Sequence, residues 1–330
     1  MKLQHNMKLT LLFVITISFS SCLGPKIISL KPELERNNCY QSYYYDNRPT
    51  PQPTYSIEVD SLVIQKLSCK SINVANAIGL LPAIAEYLHL KKYYSDGMTI
   101  STRLDLVERA TSINQRISAA SLEVLSFTSE INCEEVHIKQ TAEYLKGIEN
   151  KNEAKLTISA IVVGGIGTIA TGFTVLKGIE GNISDYIGIT TGIIETTLGI
   201  MALRNSKSIE LRHKNNVLQE VWEGHDTSSL FPQSIWYYLN YHNPTCKTRQ
   251  ESIREHIINE WKCLDQIISS DKNKEHGYRE VYFGPGGEYD LAQLENRANM
   301  LSHLKAHINQ MKHDINLLTI EFAEVCYQHL

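Results

Sequence analysis

The chain has 330 residues, enough for two ordinary domains or one long helical body. With 42% apolar and 21% charged residues, it is neither a disordered polymer nor a protein that threads a membrane throughout its length. Its 32 basic and 36 acidic residues leave a net charge of −4, which excludes the basic footprint expected of a nucleic-acid-binding protein.

Residues 1–21 read as a signal peptide. Lys2 and Lys8 supply the basic part, and the uncharged run Leu9 to Phe19 is too short to cross a hydrocarbon core of about 30 Å as a helix. The run ends in Phe19-Ser20-Ser21-Cys22, which resembles the lipobox of bacterial lipoproteins, with Phe19 where Leu is usual. The resemblance implies that Cys22 becomes the first residue and carries lipid, palmitate included. The chain would then belong to the bacterial cell envelope, with the outer membrane the expected anchorage. Several acyl chains on one cysteine anchor stably, because each buried CH₂ contributes about 0.8 kcal/mol.

Six further cysteines follow, Cys39, Cys69, Cys133, Cys246, Cys263 and Cys326, an even number that suits disulfides in an exported chain. Cys39 with Cys69 is the first pairing to test, since both lie in the loop-rich N-terminal part. Cys246 and Cys263 bracket what reads as one continuous helix, which would hold them about 25 Å apart and beyond disulfide reach.

Residues 22–55 read as a lipid anchor and Tyr/Pro-rich tether, in which Pro49, Pro51 and Pro53 favour extended backbone. Residues 56–155 form a helical region. A first helix is expected over Ile72 to Leu90, with Pro82 kinking or restarting it. A long helix starts near Thr102 and Asp105, and its apolar residues fall at Leu106, Ala110, Ile113, Ile117, Ala120, Val124, Phe127 and Ile131 in unbroken 4-3 alternation. The register continues through Ile138, Leu145 and Ile148, interrupted by Glu134 and Thr141. Sustained heptads predict a coiled coil or helical bundle. Glu134 on the seam either sets register against a partner or turns to solvent.

Residues 156–203 hold four charges, Lys177, Glu180, Asp185 and Glu195, and half of the chain's 18 glycines. Two apolar arms, Leu156 to Leu176 and Tyr186 to Leu203, flank a polar tip. As helices they would be about 31 and 27 Å long, near the thickness of a bilayer core. Ala160, Gly164, Thr168 and Gly172 recur at spacing four in the first arm, and Gly188, Gly192 and Thr196 in the second. Small residues at that spacing let two helices approach closely in lipid. The arms therefore read as a glycine-rich apolar helical hairpin, either inserted in a bilayer or buried in a bundle. Glu195 opposes insertion by about 2.5–3.5 kcal/mol unless protonated, paired or facing water. The run Gly165-Ile166-Gly167-Thr168-Ile169-Ala170 matches the dinucleotide fingerprint, but strand–helix alternation does not follow it, so no nucleotide cofactor is expected.

In residues 204–330, Arg204 to Trp222 is expected to return as a helix. A shorter stripe, Ile253, Ile257, Trp261, Leu264 and Ile268, predicts another. The turn-rich stretch from Ser269 to Tyr289 precedes a last stripe, Leu291, Leu294, Ala298, Leu301, Leu304, Ile308, Met311, Ile315, Leu318 and Phe322, with one irregular 3-3 step at Leu301 to Leu304. His303, His307 and His313, and His256 with Glu255 and Glu260, read as solvated helix faces, so no metal is expected. No HExxH, G-x-S-x-G or phosphate-binding loop is present, and the chain reads as non-enzymatic.

The expected fold is all-α, an elongated helical bundle or coiled coil carrying the apolar hairpin. A long heptad helix that runs into a glycine-rich hairpin and returns resembles, over residues 100–225, the layout of α-helical pore-forming toxins of the cytolysin-A and haemolysin/enterotoxin group. That resemblance is architectural and implies a mid-chain element that inserts when several chains form a ring. The leading expectation is an envelope lipoprotein scaffold whose partners are the lipid bilayer and further copies or other envelope proteins. A pore-forming protein is the alternative.

Overall fold

The computed structural model describes residues 26–29, 39, 50–94, 99–176, 207–241, 251–264 and 279–327, with side chains omitted over 163–176 and at Lys26. The described residues are mostly helical, as expected, but they also contain a three-stranded sheet that an all-α reading does not include. The signal peptide, Cys22 and the second arm with Gly188, Gly192, Glu195 and Thr196 lie outside the described residues. Gly164, Thr168 and Gly172 are described as helical backbone alone.

Local signals explain most element boundaries. Helix α1, Ser61–Lys66, starts at Asp60, whose carboxylate accepts from the Leu62 amide at 2.8 Å. Helix α2, Cys69–Ala77, is capped by Ser68. Helix α3, Leu81–Tyr93, places Pro82 in its first turn, so the proline restarts the chain as a helix rather than kinking one. Gly79, at φ 68°, makes the break before it.

Helix α4, Ile100–Leu176, is one element of 77 residues that runs without interruption through the heptad region and the whole first arm. Ala160 in that arm is half-buried. The predicted seam is the buried face: Leu106, Ile113, Ile117, Ala120, Val124, Phe127, Ile131, Ile138 and Leu145 are all enclosed, and Ala110 and Ile148 are partly so. Among the described residues no helix is long and apolar enough to cross a membrane.

The expected helix from Arg204 to Trp222 is not formed. Its first half is strand β2, Lys207–Arg212, in which Ile209 and Leu211 are buried while Glu210 and Arg212 face out, a period of two rather than 3.6. Helix α5, Val217–Glu223, takes the rest. Strand β1, Lys26–Ile28, pairs parallel with β2, Ile27 opposite Ser208. Strand β3, Gly286–Tyr289, arises inside the turn-rich stretch. Helices α6, Gln233–Asn240, and α7, Ile253–Cys263, follow α5, and α8, Leu291–Tyr327, ends the chain's described part. Helix α7 has a full capping box between Ser252 and Glu255, and begins well after Cys246, so the continuous helix expected between Cys246 and Cys263 is absent. It also ends before the expected stripe does, leaving Leu264 exposed.

The chain forms two compact units that do not follow chain order. One comprises residues 1–33, 140–211 and 288–294, and holds β1, most of β2 and the later part of α4. Within it the Lys207 amide donates to Glu149 on α4 at 2.9 Å. The other comprises residues 34–139, 212–287 and 295–330. There, contacts of α4 and α8 run in opposite chain directions. Arg109 of α4 pairs with Glu86 of α3 and Glu123 accepts from Ser234 of α6. Along α8, Phe322 packs on Tyr87 of α3 and Asp314 accepts from Tyr238 of α6. Trp236, Tyr237 and Tyr238 are buried, as core aromatics rather than an interfacial belt.

The cysteine pairing differs from expectation. Cys39 is bonded to Cys133 on α4, and Cys69 is disulfide-bonded elsewhere, not to Cys39. Chain proximity misleads here because α4 carries Cys133 back to the N-terminal segment, closing a loop with a sequence separation of 94. Within residues 22–55, Lys26–Ile28 form β1 and Cys39 is bonded to α4. Cys263 and Cys326 are free thiols. Because a cross-link over so long a loop restricts the unfolded chain strongly, Cys39→Ser should lower unfolding free energy by about 2–4 kcal/mol in a urea melt. Wild-type protein treated with reductant should match the variant to within the contribution of the Cys69 bridge.

Candidate functional site

Glu134, the charge that interrupts the seam of α4, is enclosed rather than solvated. Arg297 Nη2 donates to its carboxylate at 2.6 Å, and both side chains are almost completely out of water. Counting Arg297 in place of Ala298 moves the irregular 3-3 step of the last stripe to its first residues, Leu291, Leu294 and Arg297. Read through Leu294, Arg297, Leu301, Leu304, Ile308 and Met311, α8 keeps an unbroken 3-4 alternation, with Arg297 in the seam where the apolar count had taken Ala298. Each seam thus carries one charge, and the two charges meet.

A loop is clamped to the same pair. Arg297 Nη1 donates to the Tyr282 carbonyl at 3.2 Å, and Asn216 at the start of α5 donates to the carbonyls of Tyr282 and Gly284 at 2.8 and 2.9 Å. Gly284 is required at this turn, because a Cβ there would lie 2.3 Å from the Glu280 carbonyl oxygen. Burial, with the Arg297 guanidinium nearby, pushes the His213 imidazole down to about 2. Enclosed in this way, the pair is shielded from solutes and joins α4 to α8.

A second polar cluster reaches the surface. His256 and Glu260 stand one turn apart on α7, and His307 projects from α8. His307 Nε2 lies 2.9 Å from Glu260 Oε2, and His256 Nε2 lies 3.3 Å from Glu260 Oε1. His256 Nδ1 is 3.0 Å from Glu251 Oε1. Against the expectation of solvated histidines, His307 is buried. Burial raises the Glu260 carboxyl, but the hydrogen bond from His307 and the fields of His307, His256 and His303 outweigh it and hold the group below its usual range. These three side chains are the ones that could hold a metal among the described residues. Sequence shows the two i, i+4 pairs, His256/Glu260 and His303/His307, but not that the two helices face each other there.

Truncating Arg297 alone strands a buried carboxylate. Arg297→Met should therefore cost about 3–5 kcal/mol in a urea melt, whereas Glu134→Met/Arg297→Met should recover much of it because no charge is left unpaired. His213 is held neutral in the fold but charges in the unfolded chain below 6.5, so its contribution is present above that pH and is lost as pH falls. His213→Gln should remove about 1–2 kcal/mol of the stability difference between neutral pH and about pH 5. No family model, curated protein or solved structure matches this chain.

Proposed function

We propose that the protein is a non-enzymatic lipoprotein of the bacterial envelope, anchored through Cys22, that acts as a scaffold by associating through α4. The observation that supports this reading best is a second apolar stripe on that helix. Ile100, Leu104, Val107, Leu122, Leu125 and Val136 are all exposed. At 100° per residue they fall within an arc of about 60°, on the side opposite the buried seam. Ile158, Ile161 and Val162, in the other unit's part of the helix, are exposed too. Scattered exposed apolar residues need no explanation, but apolar residues gathered on one side of a heptad helix mark an interaction face. Cys133 lies at the border of this arc and is bonded to Cys39. The disulfides suit an oxidising compartment outside the cytosol, as the lipobox-like leader does.

The mainly helical architecture in this reading is an elongated bundle that uses coiled-coil packing. The apolar hairpin, with Ala160, Gly164, Thr168, Gly172, Gly188, Gly192 and Thr196 at its packing positions, would contact the bilayer or the assembly's interior. The pore-forming alternative draws on α4 running unbroken into the first arm. It is weakened by β2, which occupies the place of the returning helix.

Labelled palmitate should be incorporated by the wild type and not by Cys22→Ala. In detergent extracts, crosslinking should give discrete multimers that Leu122→Asp/Leu125→Asp reduces at least about tenfold. Its melting should stay nearly unchanged, because exposed substitutions away from special features alter stability by about 0.5 kcal/mol or less. Release of dye from liposomes, weakened by Gly164→Leu or Gly192→Leu, would favour the pore instead.

A further inference from the structure

We propose that His256, Glu260 and His307 form a binding site for a divalent cation of the zinc class, which ties α7 to α8. One ligand atom from each, the two imidazole nitrogens and a carboxylate oxygen, lies within 4.8 Å of the others, a span that one metal ion can bridge. Two nitrogens and one oxygen match the borderline softness of zinc, nickel or cobalt. They do not match calcium or magnesium, which take oxygen sets.

One of the two imidazoles is held as a metal ligand is. Glu251 holds His256 through Nδ1 at 3.0 Å, which leaves Nε2 pointing at Glu260. A carboxylate behind a histidine is the arrangement that fixes tautomer and ring orientation for metal-binding imidazoles. His307 is buried, and its Nδ1 makes no hydrogen bond; His303 Nδ1, one turn earlier on α8, makes none either. Three protein ligands leave a fourth tetrahedral position, and the partial exposure of His256 and Glu260 opens that position to water. The ligands come from both helices, so a bound ion would stabilise the folded chain in proportion to its occupancy.

The test uses the full chain in detergent, stripped with chelator, dialysed and titrated with zinc chloride alone in a calorimeter. One equivalent should bind saturably and raise the thermal midpoint. Glu260→Gln and His256→Ala should each weaken binding at least about tenfold, and Glu251→Gln by a smaller factor. Far-ultraviolet circular dichroism of each variant confirms that the helices persist, and Glu260→Gln, the smallest change, carries the conclusion should His256→Ala unfold. Cys263→Ser, which removes the exposed thiol on the same helix, should bind as the wild type does. Cobalt substitution should give a spectrum without thiolate charge transfer. Absence of saturable zinc binding, unchanged affinity in Glu260→Gln, or binding lost in Cys263→Ser would each overturn the proposal.

Discussion

The ion pair between Glu134 and Arg297 is the constraint on which the larger unit depends. Each charge occupies a seam position otherwise filled by Leu, Ile or Phe, and each is enclosed. Any shift of α8 along α4 by a heptad step would bury both charges against apolar side chains, at a cost of several kcal/mol per ion. Hydrophobic packing alone tolerates such shifts, because one leucine layer resembles the next. The pair removes that degeneracy, as a polar seam residue does in coiled coils. Arg297 extends the same specificity to the loop before β3 through the Tyr282 carbonyl, and Asn216 holds that loop from α5. The adjoining residue, Cys133, binds the N-terminal segment covalently. One turn of α4 therefore holds Cys39 by a disulfide and α8 by charge.

Much of this architecture was legible from periodicity. The buried faces of α4 and α8 are the stripes that the apolar spacing picks out, because a 3.5-residue repeat states which side of a helix avoids water without reference to its neighbours. The proline at 82 likewise marks a helix start by local geometry alone. Legibility ended where the deciding partner is remote. Glu134 gives no sign from sequence that it meets Arg297, and counting only apolar residues passes over Arg297 altogether. The Cys39–Cys133 bond fails for the same reason: chain distance is a poor guide once a long helix returns a residue to the start. In β2, the four-residue alternation from Ile209 to Arg212 was absorbed into a longer helical expectation, since a short strand competes weakly with the pattern around it.

The two faces of α4 have different physical characters. The inner one is large and aliphatic, with aromatic layers such as Phe127 packed on Phe231. The outer one is discontinuous, its Leu, Ile and Val residues separated by Ser, Thr and Gln, which suits an association weaker than the fold itself. The cluster on α7 and α8 lies in the same unit and concerns a separate matter, the fixing of a short helix whose own capping box and two buried anchors, Ile257 and Trp261, are its other means of attachment.

The placement of β1 has a consequence for how such a protein would sit on a membrane. Only three residues separate Cys22 from Lys26, where the parallel pairing with β2 begins. Fully stretched, that stretch of backbone reaches no more than about 14 Å. A lipid on Cys22 would thus moor the sheet itself at headgroup level on a short leash, with no spacer to lift it clear. A neighbouring protein could approach the sheet from the side but would find no gap beneath it.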